Sequence, residues 1–335
     1  MSAVSLSVRP GECVSPEMSD FRSYLERTLR EPFTINLRGC SLMESIRICI
    51  NAKMKLHPSF EANHSSLIYN LRKLEEQSRV TIRTSQVTDV FWGYFISFCQ
   101  LRGLKSSSIN TMCNQLRSIL NWAVKYNAEV SPTYQDIAFP KATNQKIALT
   151  QDEVSRIAYF DIDRFYAGRR KDFREATHRV RDMFVLSCNL FQRHSDMVRI
   201  GPECFDRNIF KIVQQKTGNL AVVNIDKYAI DAKTTYRILD KYHFRAPYSS
   251  DISDYNDRIH VLMKDIGLDE PIRIEEKVGG QMVVNTIPKW KLISSHTARR
   301  TAVTVNVLRG HNVHDLKRCS GHSDLRVFDE YIRDE

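Results

Sequence analysis

Apolar residues return at helical spacing between Ser106 and Val124, where Ile109, Met112, Leu116, Ile119, Leu120, Ala123 and Val124 recur at i, i+3, i+4 and i+7 and so share one face of a helix. Ser106, Ser107 and Ser108 offer N-caps for it. The same period predicts helices over 42–56, over 66–79 with Leu67, Leu71 and Leu74 on one side, and over 87–101. In the last, Phe91, Trp92, Tyr94, Phe95 and Phe98 read as core packing rather than a platform for stacked bases. Residues 1–40 carry Pro10, Gly11, Pro16, Pro32 and Gly39 with weak periodicity, and read as an irregular arm holding one short helix at 18–29. A helical domain over 41–140 is expected to follow.

The period breaks at Ser131, Pro132 and Pro140, and 141–148 is polar and basic, a linker carrying Lys141 and Lys146. Thr150 and Glu153 then form a T-x-x-E capping box that opens a second domain, 149–335. A helix over 176–190 ends at the sequence FQRHSD. Alternation predicts strands at 209–215 and 220–225, with Lys216, Thr217, Gly218 and Asn219 as the turn between them. Helix, loop and helix follow over 226–289, one helix at 254–267, with a small hairpin at 272–284 around Gly279 and Gly280. A helix capped by Ser294 or Ser295 runs through Ala302, Val303, Val305, Val307 and Leu308 to a stop at Gly310. A short helix over 313–319 ends at Gly321 and leaves His322 in a tight turn, before a third helix carrying Tyr331. The expected class is mainly α with a small β-sheet.

Charge changes this picture more than composition does. The 335 residues suffice for two cores, and 42% hydrophobic with 26% charged is ordinary for a globular chain. The balance of 49 Lys and Arg against 39 Asp and Glu, a net +10, suits a polyanionic partner. On the helix at 106–124 the face opposite the apolar one offers Asn110, Asn114, Gln115, Arg117, Ser118 and Asn121, with Lys125 just beyond, and no carboxylate occurs from Lys105 to Ala128. Asn110, Asn114, Arg117, Asn121 and Lys125 are therefore candidates for DNA contact, joined by Lys141 and Lys146 in the linker. The eight Cys include no C-x-x-C pair and read as reduced residues of a cytosolic protein. No signal core or membrane span is legible. Asp251, Asp254 and Asp257 lack the Gly turn and closing Glu of a calcium loop, and no G-x-x-x-x-G-K cradle points to ATP.

The chemistry concentrates in 296–331. His296 and Arg299 lie one helical turn apart, Gly321 precedes His322, and Tyr331 follows nine residues later. This H-x-x-R, G-H, Tyr order resembles the carboxy-terminal signature of the tyrosine recombinase (phage integrase) family, and in overall style integrases of mobile elements in Bacteroides-type bacteria. The resemblance implies an amino-terminal core-binding (SAM-like) helical domain that clamps DNA and a mixed α+β catalytic domain. It places Arg193 as the first active-site arginine with Asp196 as the acid three residues on, although Phe191 and Gln192 stand where the family often has Gly-Leu. It assigns the hairpin-tip lysine to Lys216, with Lys211 a weaker competitor inside the strand.

The implied roles fit the residue types. Tyr331 would be the nucleophile, Arg193 and Arg299 would grip the non-bridging oxygens bidentately, and His322 would add a hydrogen bond. His296 would accept the phenolic proton and Lys216 would protonate the departing 5' oxygen. The family implies a covalent 3'-phosphotyrosine, strand exchange through a Holliday junction, and a tetramer on double-stranded target sites. It leaves room for DNA-bending accessory proteins, requires no metal or other cofactor, and points to a bacterial cytoplasm and nucleoid. Family members usually continue past the Tyr with an element that docks on a neighbouring subunit, whereas this sequence stops at Glu335, so weak self-association without DNA is expected. Two other readings stay open: a type IB topoisomerase-like nicking-closing enzyme, and a catalytically silent DNA-binding regulator on the same scaffold.

Overall fold

The computed structural model describes residues 35–54, 60–136, 139–140, 146–248 and 250–322. Residues 1–34 of the expected arm, with its short helix, Lys141 and the Tyr331 segment lie outside them. The chain divides into two compact units, Met1–Ala142 with Lys277–Gln281, and Thr143–Glu276 with Met282–Glu335.

The first unit is built on α1 (Leu42–Met54), α2 (Phe60–Ser78), α3 (Asp89–Leu101) and α4 (Ser106–Val124). Its core joins Leu42 and Ile46 of α1, Leu67 and Leu71 of α2, Trp92 and Phe95 of α3, and Ile109, Met112, Leu116 and Leu120 of α4. Trp92 is fully buried and its indole N–H still finds a partner, the Tyr134 carbonyl at 3.1 Å, as a buried donor must. Two expectations are corrected. The N-cap of α4 is Lys105, and Ser106 is already inside the helix and buried, so the serines begin the helix instead of capping it. The aromatic row of α3 is split, because Trp92 and Phe95 face the core while Tyr94 is 70% exposed.

The second unit opens with α5 (Gln151–Tyr159), started by the reciprocal bonds of Thr150 and Glu153 at 3.2 and 2.7 Å. Glu153 is also paired with buried Lys289. After the short α6 (Ile162–Phe165) comes the central helix α7 (Lys171–Leu190), on which α5, α10 (Ala232–Lys241), α11 (Ile252–Asp265) and α12 (Ser295–Leu308) pack. Every residue from Asp182 to Leu190 is buried, the signature of a helix surrounded on all sides. The turn α8 (His194–Met197) leads to an antiparallel sheet of β1 (Phe205–Asp206), β2 (Ile209–Val213) and β3 (Leu220–Asn224), in that order. Phe210 faces Val223 and Ile212 faces Ala221 in the register, all four turned into the core. The single turn α9 (Ile225–Tyr228) follows β3, and α13 (Val313–Ser320) packs on β3. The remaining strands, β4 (Pro271–Val278) and β5 (Gln281–Pro288), form a hairpin. Its turn residues Gly279 and Gly280 sit at φ of +58° and +82°, where a side chain is disfavoured. The mainly α class with small sheets agrees with expectation.

Candidate active site

The first arginine is placed by a strained helix end. α7 stops because Phe191 adopts φ 63° and ψ 10°, a left-handed conformation that costs a non-glycine residue of order 1–2 kcal/mol. Its fully buried side chain offsets this with about 2 kcal/mol of apolar burial. The chain therefore doubles back, and Arg193 begins the α8 turn. Its Nη1 donates to Gln214 Oε1 at 2.7 Å and lies 3.9 Å from Asp196 Oδ2. Asp196 is fully buried; its Oδ1 accepts from the Gln215 amide at 2.8 Å and lies 3.4 Å from Arg199 Nη1.

Arg299 enters from α12 and is only 1% exposed. Nη1 donates to the Phe191 carbonyl at 3.1 Å, so the left-handed turn is also the seat of the second arginine. Nη2 lies 3.0 Å from His322 Nε2. A guanidinium only donates, so Nε2 holds a lone pair and Nδ1 carries the proton. That proton points to Ser320 Oγ at 2.7 Å, and Ser320 in turn donates to the Lys317 carbonyl at 3.2 Å. Burial, then the charges of Arg299, Arg193 and Lys317, push the His322 imidazole down to about 3. It is neutral at pH 7, as the tautomer argument requires.

His296 lies in the first turn of α12 and keeps an exposed edge. Partial desolvation, followed by Arg299, Arg193, Arg300 and Lys216, lowers its pKa below the ordinary imidazole value. His296 is therefore neutral at pH 7 and lies within electrostatic reach of Arg299, Arg193, Arg300 and Lys216. Lys216 is exposed in the turn between β2 and β3. Arg193, Lys216, His296, Arg299 and His322 are thus brought into one electrostatic neighbourhood from a helix end, a hairpin tip and two helix termini. Among the described residues no cluster of His, Cys, Asp or Glu is arranged to hold a metal ion.

The sequence matches no protein-family model, and no curated protein matches it either. Solved structures do match. A lambda integrase dimer bound to a COC' core site superposes with a TM-score of 0.59 at 15% identity, over 86% of this chain and 95% of that one. The XerH site-specific recombinase in a post-cleavage complex with a palindromic difH substrate gives 0.60 at 12% identity, over 88% and 81%. The Tn1549 transposon integrase with a circular intermediate DNA gives 0.58 at 14%, over 87% and 94%. The chain has the tyrosine-recombinase fold.

Within that fold the departures at Phe191 and Gln192 acquire a physical reading. Phe191 occupies the left-handed position where glycine would be unstrained, and Gln192 is fully buried beside it. Gln192 and Gln214 are site residues that motif reasoning missed. The available signal was weak: Gln214 follows Phe210 and Ile212 on the inward face of the β2 alternation, where an apolar residue is expected.

The candidate DNA-contacting residues of the first unit are held differently. Asn110 donates to the Pro140 carbonyl at 2.8 Å, Asn114 donates to Asn110 Oδ1 at 2.6 Å, and Arg117 donates to Asn114 Oδ1 at 2.7 Å. Arg117 also lies over the Phe139 ring, 4.6 Å from its centroid. Asn121 accepts from the Tyr134 hydroxyl at 2.7 Å, and Lys125 is exposed. Lys146 is half-buried in the second unit.

Proposed function

We propose that this chain is a site-specific DNA recombinase that cleaves and rejoins strands through a 3'-phosphotyrosine on Tyr331. The observation that carries the reading is the joint seating of Arg193, Arg299 and a neutral His322 by buried and partly buried hydrogen bonds. Preorganised donors of this kind stabilise charge that grows on a phosphate in the transition state. The structural neighbours bound to DNA, among them a lambda integrase tetramer on a Holliday junction, support the choice of substrate.

In this mechanism the Tyr331 hydroxyl attacks phosphorus and the bond to the 5' oxygen breaks. His296 takes the phenolic proton, for which a neutral imidazole is needed, and Lys216 delivers a proton to the 5' oxygen. Arg193 and Arg299 hold the non-bridging oxygens. An anion arriving beside Arg299 competes for its Nη2; His322 then donates to the phosphate as the other neutral tautomer, with its proton on Nε2 and Nδ1 accepting from the Ser320 hydroxyl. The phosphotyrosine conserves the bond energy, so a 5' hydroxyl from a second strand can reverse the step without ATP. Assembly into a tetramer on paired duplexes completes the exchange. The source in a mobile element of a Bacteroides-type bacterium, acting at the nucleoid, rests on the sequence resemblance.

The test uses DNA fragments selected for binding, each nicked near the bound site so that cleavage is trapped, and resolved on a denaturing gel. A protein–DNA band is expected from the native chain. Its absence over all tightly bound fragments would contradict the proposal, and plasmid relaxation without recombinant joints would redirect it to a nicking-closing enzyme.

A further inference from the structure

Two buried glutamines join every segment that carries a described site residue except the His296 turn. Gln192 is fully buried and Gln214 is 1% exposed. Gln214 Nε2 donates to Gln192 Oε1 at 2.8 Å and to the Ser320 carbonyl at 2.7 Å, while its Oε1 accepts from Arg193 at 2.7 Å and from the Thr217 hydroxyl at 3.1 Å. Both amide protons and both lone pairs are used, the full capacity of the group. The orientation of the amide is forced, because Arg193 can only donate and the Ser320 carbonyl can only accept. Gln192 Nε2 donates to the carbonyls of Leu190 at 2.7 Å and Cys319 at 3.0 Å. The pair thus captures two carbonyls at the end of α13, which a helix terminus leaves without an intrahelical partner, and so fixes the turn that presents His322.

Gly321 shows how closely the amide fits. It is the left-handed cap of α13 at φ 65°, and a Cβ there would stand 2.6 Å from both Cδ and Oε1 of Gln214. The backbone before His322 and the Gln214 side chain therefore occupy adjoining space with no room for a methyl group.

We infer that Gln214, held by Gln192, is a positioning residue that sets Arg193, the Lys216 turn and the His322 turn in register for the phosphate. The inference rests on the recombinase reading above. Neither glutamine touches the reacting atoms; they act through the arginine and the histidine turn. Apolar side chains of similar volume would fill the space but would leave the Leu190, Cys319 and Ser320 carbonyls and Arg193 without these partners. The yield of the polar pair is orientation, with every bond satisfied.

The test compares the native chain with Gln214→Leu, Gln214→Ala and Gly321→Ala, and with Gly321→Ala combined with Gln214→Ala. DNA affinity, single-turnover formation of the covalent adduct at saturating nicked DNA, and thermal unfolding are measured for each. Gln214→Leu is expected to slow adduct formation about 10²-fold, the scale of a 1 Å misplacement, with affinity changed less than about threefold. Gly321→Ala should slow it comparably, and the double variant should be no slower than Gln214→Ala, because the side-chain atoms nearest the new methyl group are then gone; the strain of alanine at φ 65° is common to both Gly321 variants and is read in the thermal unfolding. A Gln214→Leu chain that cleaves at the native rate, or effects on rate that simply add, would overturn the inference while a native adduct keeps the recombinase reading standing. Should the native chain form no adduct, that reading fails and the pair is judged by the 15N shifts of His322. These should change in Gln214→Leu as the Nδ1–H tautomer loses its fixed setting, and unchanged shifts would overturn the inference.

Discussion

The molecule holds two rows of polar side chains that differ in burial. On α4, Asn110, Asn114, Arg117 and Asn121 lie partly or fully exposed and bond to one another or to the segment after the helix. In the second unit, Asp196, Gln192, Gln214 and Arg299 are each at most 1% exposed, and their bonds cross between helix ends, a hairpin and a turn. An exposed polar group exchanges its partners for water at little cost, whereas a buried one left unpaired costs about 1–3 kcal/mol. The first row can adapt to a ligand, and the second is built before the ligand arrives. A phosphate-binding site needs the second kind, because donors already in place require no reorganisation during the reaction.

The sharpest way to break this contrast is Arg299→Ala. It removes the donor to the Phe191 carbonyl and to His322, and is expected to cut adduct formation by about 10²-fold or more while DNA affinity falls far less. It should also lower stability by about 3 kcal/mol, as disruption of a buried network does, read by urea unfolding. Equal losses in cleavage and binding would make Arg299 a plain DNA anchor. Phe191→Ala should follow, at about 3 kcal/mol for the lost ring, because the backbone strain remains. Phe191→Gly should cost less than Phe191→Ala, since it relieves the strain of a positive φ, and the order of the two unfolding midpoints checks this.

A pH series sharpens the same point. The folded His322 resists protonation down to about 3, against an ordinary value of 6.5, so between these values the unfolded chain binds the extra proton. Stability is therefore complete above about 6.5 and declines as pH falls toward 3, and the lowered pKa of His296 acts in the same direction. The drop in unfolding free energy from pH 7.5 to pH 5 should shrink in His322→Gln. The smallest effects belong to the α4 row. Lys125→Ala should weaken DNA binding for all sequences alike and reduce the salt slope by about 1, and Asn114→Ala should change affinity less than about threefold because its amide is already engaged on the helix. An Asn114→Ala loss confined to one target sequence would instead assign that side chain to base reading.

Much of the fold was legible because helices and strands impose a period. Leu67 and Leu71 on α2, and Ile109, Met112 and Leu116 on α4, read directly as buried faces, and the Thr150–Glu153 box marked a helix start that the structure keeps. Helix starts without such a cap were less legible: α2 begins at Phe60 and α7 at Lys171, ahead of the expected 66 and 176, because their first turns are mostly polar and exposed and carry no apolar spacing. At the site, Arg299 and His322 could be picked out by spacing, but their burial and their mutual contact could not. Phe191 gave no local sign of its left-handed backbone, which is imposed by its buried ring and by the turn that seats both arginines. Gln192 and Gln214 were invisible for a related reason. Their partners lie 127 and 106 residues away, at Cys319 and Ser320, and no local pattern encodes such a pairing.

The central claim is that Tyr331 forms a covalent bond with a DNA phosphate inside this preset group of donors. The direct measurement is protease digestion of the trapped adduct, followed by mass spectrometry of the DNA-linked peptide and end analysis of the released strands. The account expects linkage through Tyr331 to a 3' phosphate, a free 5' hydroxyl on the other strand, and no adduct from a Tyr331→Phe chain that still binds DNA. Linkage through another residue, a 5'-phosphate attachment, or an undiminished adduct in Tyr331→Phe would contradict it.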